Sequence, residues 1–219
     1  MTGQALLAGA SGLIGGKVTI LLSAADVEVH VPTRRLLEIM PPGTVQHISD
    51  SAGWPEVIAG LTPKVAISCL GTTWNKSGKS EAAFRAVDLD LVLAFATAAK
   101  EAGAKHMIAV SSVGASAKSS SFYLRTKGEA EDGLKQLGFD RLDILRPGLL
   151  TGDRGAERRF GERIGILFSP LTDALLQGPF RRYRSIDSMT VARAIAKLAI
   201  GGGSGNFIHE NDAITALSG

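Results

Sequence analysis

Apolar positions in this chain fall in short runs, separated by longer stretches in which they recur with helical spacing. The runs are Ala5–Ala8, Val27–Val31, Val45–Ile48, Val65–Cys69, Met107–Val110 and Leu142–Leu145, and each reads as a buried strand. Between them Leu13–Ser23, Trp54–Ala59, Ser80–Ala102 and Ser121–Leu137 read as helices. The third carries Phe84, Val87, Leu91, Phe95 and Ala98 along one face and ends near Gly103, while Pro41-Pro42-Gly43 breaks the chain before the third strand. This βαβα alternation predicts an α/β fold, a doubly wound parallel sheet covered by helices on both faces. After Gly152 the alternation fades into Arg-rich helical pieces, a helix around Met189–Ile200, the Gly201-Gly202-Gly203 turn and a short strand near Asn206–His209. Residues 152–219 are therefore expected to form a small lid packed on the sheet, within one domain spanning 1–219.

Composition narrows the picture. With 219 residues, 45% hydrophobic and 21% charged, the chain has the size and balance of one domain with a substantial core. The longest apolar stretch, Leu89–Ala99, is too short to span a bilayer, so no membrane partner is expected. Met1-Thr2-Gly3 leads straight into the first strand without a charged and apolar leader, which predicts a cytoplasmic location. The single cysteine, Cys69, excludes an intrachain disulfide framework and is expected to be a packed thiol. A net charge of +3 is small, and aromatic residues make up 5% without interleaving the arginines, so no nucleic-acid partner is expected. The arginines are unevenly spread: Arg154, Arg158, Arg159, Arg163, Arg181, Arg182 and Arg184 all lie in the last third. They read either as a solvated helix face or as an electropositive mouth that draws in an anionic small-molecule substrate.

The candidate chemistry starts at Gly9-Ala10-Ser11-Gly12-Leu13-Ile14-Gly15, directly after the first strand. Glycines at this place let bare backbone N–H groups approach a diphosphate: Gly9 permits the tight turn, Gly12 the close approach and Gly15 the packing of helix on strand. Ser11 can add a hydroxyl donor. The pattern predicts a Rossmann-type NAD(P)-binding fold. The second strand runs into Pro32-Thr33-Arg34-Arg35, where an NAD-selective fold usually carries a carboxylate for the adenosine ribose. Guanidinium groups grip a 2′-phosphate that a carboxylate would repel, so the cofactor is read as NADP(H); Arg35 has the competing reading of a solvent-facing strand cap. Asp50, past the third strand, is placed to accept from the adenine amino group, with a surface turn as the alternative.

Tyr123 and Lys127 stand four residues apart at the start of a predicted helix, which puts them on one face. A neighbouring ammonium favours the phenolate, so the tyrosine can exchange a proton with a carbonyl or hydroxyl, and the same lysine can hold the nicotinamide ribose. Ser111 and Ser112 end the fifth strand at the sheet's carboxyl edge, where one of them would bind the reacting oxygen. The set calls for no metal.

Taken together these features resemble the short-chain dehydrogenase/reductase superfamily in its atypical branch. Cys69-Leu70-Gly71-Thr72-Thr73, Val87-Asp88, Ser111-Ser112-Val113-Gly114-Ala115, Tyr123 with Lys127-Gly128-Glu129, and Leu145-Arg146-Pro147-Gly148 are similar to the small family of the HIV Tat-interacting protein. The resemblance covers residues 3 to about 210. It implies that Gly9, Ser11, Gly12, Leu13 and Ile14 cradle the diphosphate and that Arg34 holds the 2′-phosphate. It further implies that Leu70, Gly71 and Thr72 line the ribose, that Pro147, Gly148 and Leu149 pack by the nicotinamide, and that Tyr123 is the acid/base with Lys127 as its activator. Two positions depart from the superfamily: 11 or 12 positions separate the serines from the tyrosine, which is short, and a helix asparagine of the proton relay is Asp88 here. The first function expected is an NADP-dependent oxidoreductase acting on a small carbonyl or alcohol. The alternative is an NADPH-binding sensor or regulatory protein without turnover. Superfamily members often pair through the helices at Ser80–Ala102 and Ser121–Leu137, so a homodimer is compatible with the chain.

Overall fold

The computed structural model describes residues 3–152 and 176–219. Among them the chain runs through β1 (Ala5–Ala8), α1 (Gly15–Ala24), β2 (Val29–Thr33), β3 (Thr44–Ile48), α2 (Trp54–Ala59), β4 (Val65–Ser68), α3 (Glu81–Arg85), a π-helical turn (Ala86–Asp90), α4 (Leu91–Glu101), β5 (His106–Val110), α5 (Phe122–Gln136) and β6 (Arg141–Arg146). It continues with β7 (Leu150–Thr151), a 3-10 helix (Gly178–Tyr183), β8 (Ile186–Asp187), α6 (Ser188–Ile200), β9 (Gly205–Glu210) and α7 (Asn211–Ser218). Seven strands form one sheet in the order β3-β2-β1-β4-β5-β6-β9, with every pairing parallel, and β7 pairs with β8 apart from it. The chain leaves β1 toward β2 and β3, then returns to lay β4 on the other side of β1. That reversal opens a crevice at the carboxyl ends of β1 and β4, where such sheets hold ligands.

Strand period two explains why both faces are covered. Leu6, Ala66, Met107 and Ile144 meet Trp54, Phe95 and Leu134 of α2, α4 and α5. Their neighbours Leu7, Ile67, Ile108 and Leu145 meet Val18 and Leu22 of α1 and Val191 and Ile195 of α6. A strand buried on both faces has no polar alternation to show, which is why these segments read as continuous apolar runs.

The structure departs from the sequence reading at three places. β2 continues through Pro32 to Thr33 although proline has no N–H to donate. Its pairing with β1 stops at Leu6 opposite His30, so Pro32 lies where β2 has already parted from β1. The expected helix Ser80–Ala102 is three pieces, because the turn at Ala86–Asp90 is wound with an extra residue. Residues 186–219 belong to the main layers: β9 adds the seventh strand, α6 covers the α1 face, and α7 packs back on α6. Among the described residues of the tail expected as a lid, the 3-10 helix comes close to the serine loop: a Cβ on Gly114 would lie 3.8 Å from Tyr183 Oη. Arg154, Arg158, Arg159 and Arg163 lie outside the described residues.

Candidate active site

The first βα turn is set by contacts only glycine allows. Gly9 has φ +90°, and a Cβ there would stand 2.6 Å from the Cys69 carbonyl oxygen, so the turns after β1 and β4 lie against each other. A Cβ on Gly15 would collide with the Gly9 carbonyl, which is how α1 seats close on β1. Gly12 N–H donates to Gly9 O at 3.0 Å. Ser11 and Gly12 are exposed, and α1 begins without a side-chain cap and without an acidic residue in its first turn. Its N-terminus therefore presents uncapped amide dipoles beside exposed backbone, an arrangement suited to an anion. Leu13 is half-buried and Ile14 buried beneath the turn. Cys69 follows β4 and stays a thiol, because burial pushes it up to about 12.

Arg34 and Arg35 are exposed at the end of β2, one strand away from this turn. Asp50 Oδ1 accepts from Gly53 N–H at 2.9 Å ahead of α2, so one oxygen serves the surface turn that was its alternative reading.

On the other side of the crevice α5 carries Tyr123, Lys127 and Glu131 at four-residue spacing, on one face. Tyr123 is 41% exposed, with its ring 5.6 Å from that of Phe84; Phe84 and Trp74 also pack on Phe122. Lys127 is buried and its Nζ lies 2.7 Å from Asp88 Oδ1. Asp88, at the centre of the π-helical turn, is 1% exposed and accepts from Thr72 N–H at 2.8 Å through its other oxygen. A Cβ on Gly71 would stand 3.5 Å from Asp88 Oδ1 and 3.7 Å from Lys127 Nζ. The loop Leu70-Gly71-Thr72, the π-helical turn and Lys127 thus converge on one ion pair.

The two serines part company. Ser111 Oγ donates to Glu131 Oε1 at 2.5 Å, and Glu131 is clasped by Arg146 through Nε at 2.9 Å and a second guanidinium nitrogen at 2.5 Å. Among the described residues the Ser112 hydroxyl has only a long contact with the Val113 carbonyl at 3.4 Å. Ser111 is therefore committed to a buried network beneath the site, and Ser112 keeps its hydroxyl for another partner. Pro147 O accepts from Val113 N–H at 3.1 Å, and Gly148 N–H donates to Asn211 Oδ1 at 2.7 Å. That fixes Pro147-Gly148-Leu149 between the serine loop and the start of α7. Nearby Arg181 lies 3.4 Å from Asp212 and Arg182 3.7 Å from Glu210. These four residues line a groove of about 430 Å³ whose charges balance.

Sequence reasoning named Asp88 only as a departure and missed its ion pair, the Glu131–Arg146 clasp and the aromatic ring set. Glu131 had a signal, being one more helical step beyond Tyr123 and Lys127. Gly128, quoted above only as part of a motif, has a packing reason: a Cβ there would collide with the backbone of Ser116 and Ala117, so the loop before α5 lies flat against that helix.

A family model described as HIM1 matches residues 60–166. Protein FMP52, mitochondrial, from Lodderomyces elongisporus is 32% identical over 219 residues, covering 94% of this chain and 91% of that protein. Rat HTATIP2 is 41% identical over 155 residues, covering 70% of this chain and 61% of that protein. Among solved structures, WbmH of Bordetella bronchiseptica in complex with NAD+ superposes with a TM-score of 0.70 at 16% identity, covering 95% of this chain and 75% of that one. The human epimerase family protein SDR39U1 with NADPH gives 0.65 at 19% identity, covering 94% and 74%. The cytoplasmic location expected from the N-terminus is corrected by these relatives, since FMP52 proteins of four fungi are named mitochondrial. With its parallel seven-stranded sheet and a likeness that runs over most of both chains, the chain belongs to the FMP52 family and resembles HTATIP2.

Proposed function

We propose that the protein is an NADP(H)-dependent oxidoreductase acting on a small carbonyl or alcohol. The observation that carries this reading is the exposed Tyr123 on the same helix face as a lysine held by Asp88 beside Gly71 and Thr72. The residues fit the cofactor: the Gly9–Gly15 turn is a cradle that side chains would fill, and the α1 N-terminus has no cap of its own. Gly9, Ser11, Gly12, Leu13, Ile14 and Gly15 would hold the diphosphate, Arg34 and Arg35 the 2′-phosphate, and Leu70, Gly71 and Thr72 a ribose. Bound there, NADP(H) supplies or takes the hydride. Tyr123 gives a proton to the substrate oxygen or takes one from it, while Lys127, fixed by Asp88, is aimed toward the ribose side of the crevice. Ser112 orients the reacting oxygen. Tyr123→Phe should lower turnover by about 100-fold or more while NADPH affinity stays the same. Unchanged turnover would remove Tyr123 from the mechanism.

The Asp88–Lys127 pair at 2.7 Å favours a second reading, an NADPH-binding sensor, because Asp88 claims the ammonium that proton transfer would use. The two readings separate when the protein is mixed with NADPH and a panel of aldehydes and ketones while cofactor absorbance is followed. Consumption of NADPH supports the enzyme. Tight binding without consumption across the panel supports the sensor.

A further inference from the structure

The loop after β2 is held by one side chain of β3. Gln46 accepts from Leu37 N–H through Oε1 at 2.8 Å and donates from Nε2 to the Leu37 carbonyl at 2.9 Å. A side-chain amide that satisfies both backbone groups of one residue takes the place of a neighbouring strand. Thr33 Oγ1 donates to the Arg35 carbonyl at 2.9 Å, and the Leu37 side chain packs against the core beneath α1. The backbone is thus fixed at Arg35 O, Leu37 N and Leu37 O. The side chains of Arg34 and Arg35 are exposed, and neither is paired with an acidic side chain among the described residues.

This asymmetry, pinned backbone under free guanidinium groups, is what a preorganised anion grip requires. An arginine on a slack loop loses loop entropy as well as its own rotamers when it closes on a phosphate, whereas one on a fixed backbone loses only the rotamers. We propose that Gln46 is a positioning residue for cofactor choice: by clamping Leu37 it holds Arg34 and Arg35 toward the 2′-phosphate of NADP(H). This rests on the NADP(H) reading above. Gln46 acts through the loop, so its effect falls on the phosphate-bearing nucleotide and spares the one without it.

The test compares Gln46→Leu, of similar volume and without either hydrogen bond, with the unaltered protein. Dissociation constants are measured for NADPH and NADH, and for the fragments 2′,5′-ADP and 5′-AMP. Loss of two hydrogen bonds should weaken NADPH and 2′,5′-ADP by roughly fivefold to tenfold and leave NADH and 5′-AMP unchanged. Gln46→Met, which lacks both hydrogen bonds and adds no charge beside the arginines, should weaken the same two nucleotides, and it carries the comparison should Gln46→Leu fold poorly. Equal weakening of all four nucleotides, or an unchanged NADPH-to-NADH ratio in both variants, would overturn the proposal. If the unaltered protein itself holds NADH as tightly as NADPH, the NADP(H) reading falls first, and that result needs no variant to be recognised.

Discussion

Tyr123 and Lys127 share a helix face, yet their surroundings are opposite. Tyr123 is open to solvent on a pad of aromatic rings, while Lys127 sits in the protein against Asp88. A buried ammonium is tolerated only with a partner, and Asp88 supplies it while also receiving Thr72 N–H. The loop that would meet the ribose and the lysine that would hold it are therefore positioned by one carboxylate. The serines divide the same way, one structural and one free. Ser111→Ala leaves Glu131 with Arg146 alone and should lower stability by about 1 kcal/mol with little change in turnover. Ser112→Ala should leave stability nearly unchanged and reduce kcat/KM by about tenfold or more. Thermal melts and steady-state kinetics on the two variants check this, and a larger kinetic loss from Ser111→Ala would reverse the assignment. In the sequence the two serines were indistinguishable, because adjacent strand residues point to opposite faces and nothing local says which face meets α5.

At the scale of elements, the tight glycine turn after β1 was legible from residue types alone, since the glycines stand where a Cβ would meet backbone. Gly15→Ala is expected to push α1 off the Gly9 carbonyl and weaken NADPH binding by about tenfold or more, with a stability cost of about 1–3 kcal/mol from overpacking. Titration of this variant against Gly16→Ala, whose Cβ would meet only Ala10 O at 3.2 Å, separates the turn from a general helix effect. The long helix after β4 was legible as a helix but not as an interrupted one. The apolar stripe of Phe84, Leu91 and Phe95 has helical spacing, and a single wide turn changes that spacing too little to show. Yet the wide turn is what carries Asp88. β9 and α7 were harder still: Phe207 and Ile208 stay exposed on an edge strand, so this strand lacks the apolar run that marks the central ones.

Across the whole molecule, charge is buried in a second place, away from the crevice. Asp143 on β6 is fully buried and accepts from His106 of β5 at 2.7 Å, Arg141 at 2.6 Å and His209 of β9 at 2.6 Å. Burial alone would raise its pKa, but the donors from His106, His209 and Arg141 outweigh it and hold the carboxyl well below the usual carboxylate range. In the folded state Asp143 thus stays ionised where the unfolded chain would already bind a proton. Its contribution is complete above the ordinary aspartate pKa of about 3.9 and drains away as pH falls through that value toward the folded one. Asp143→Asn should cost about 3 kcal/mol at neutral pH, and its stability should fall less between pH 7 and pH 3 than that of the unaltered protein. Urea melts at both values measure this; a parallel loss in both proteins would mean that Asp143 does not tie β5, β6 and β9 together.

Under the proposed function a nicotinamide dinucleotide phosphate would lie with its diphosphate on the first βα turn and its reactive end toward Tyr123. Hydrogen–deuterium exchange with and without saturating NADPH tests it directly. Slowed exchange is expected at the amides of residues 9–15 and in the Leu70-Gly71-Thr72 loop, with the strands unchanged. Saturable NADPH binding that leaves both segments exchanging as before, or no binding at all, would contradict it.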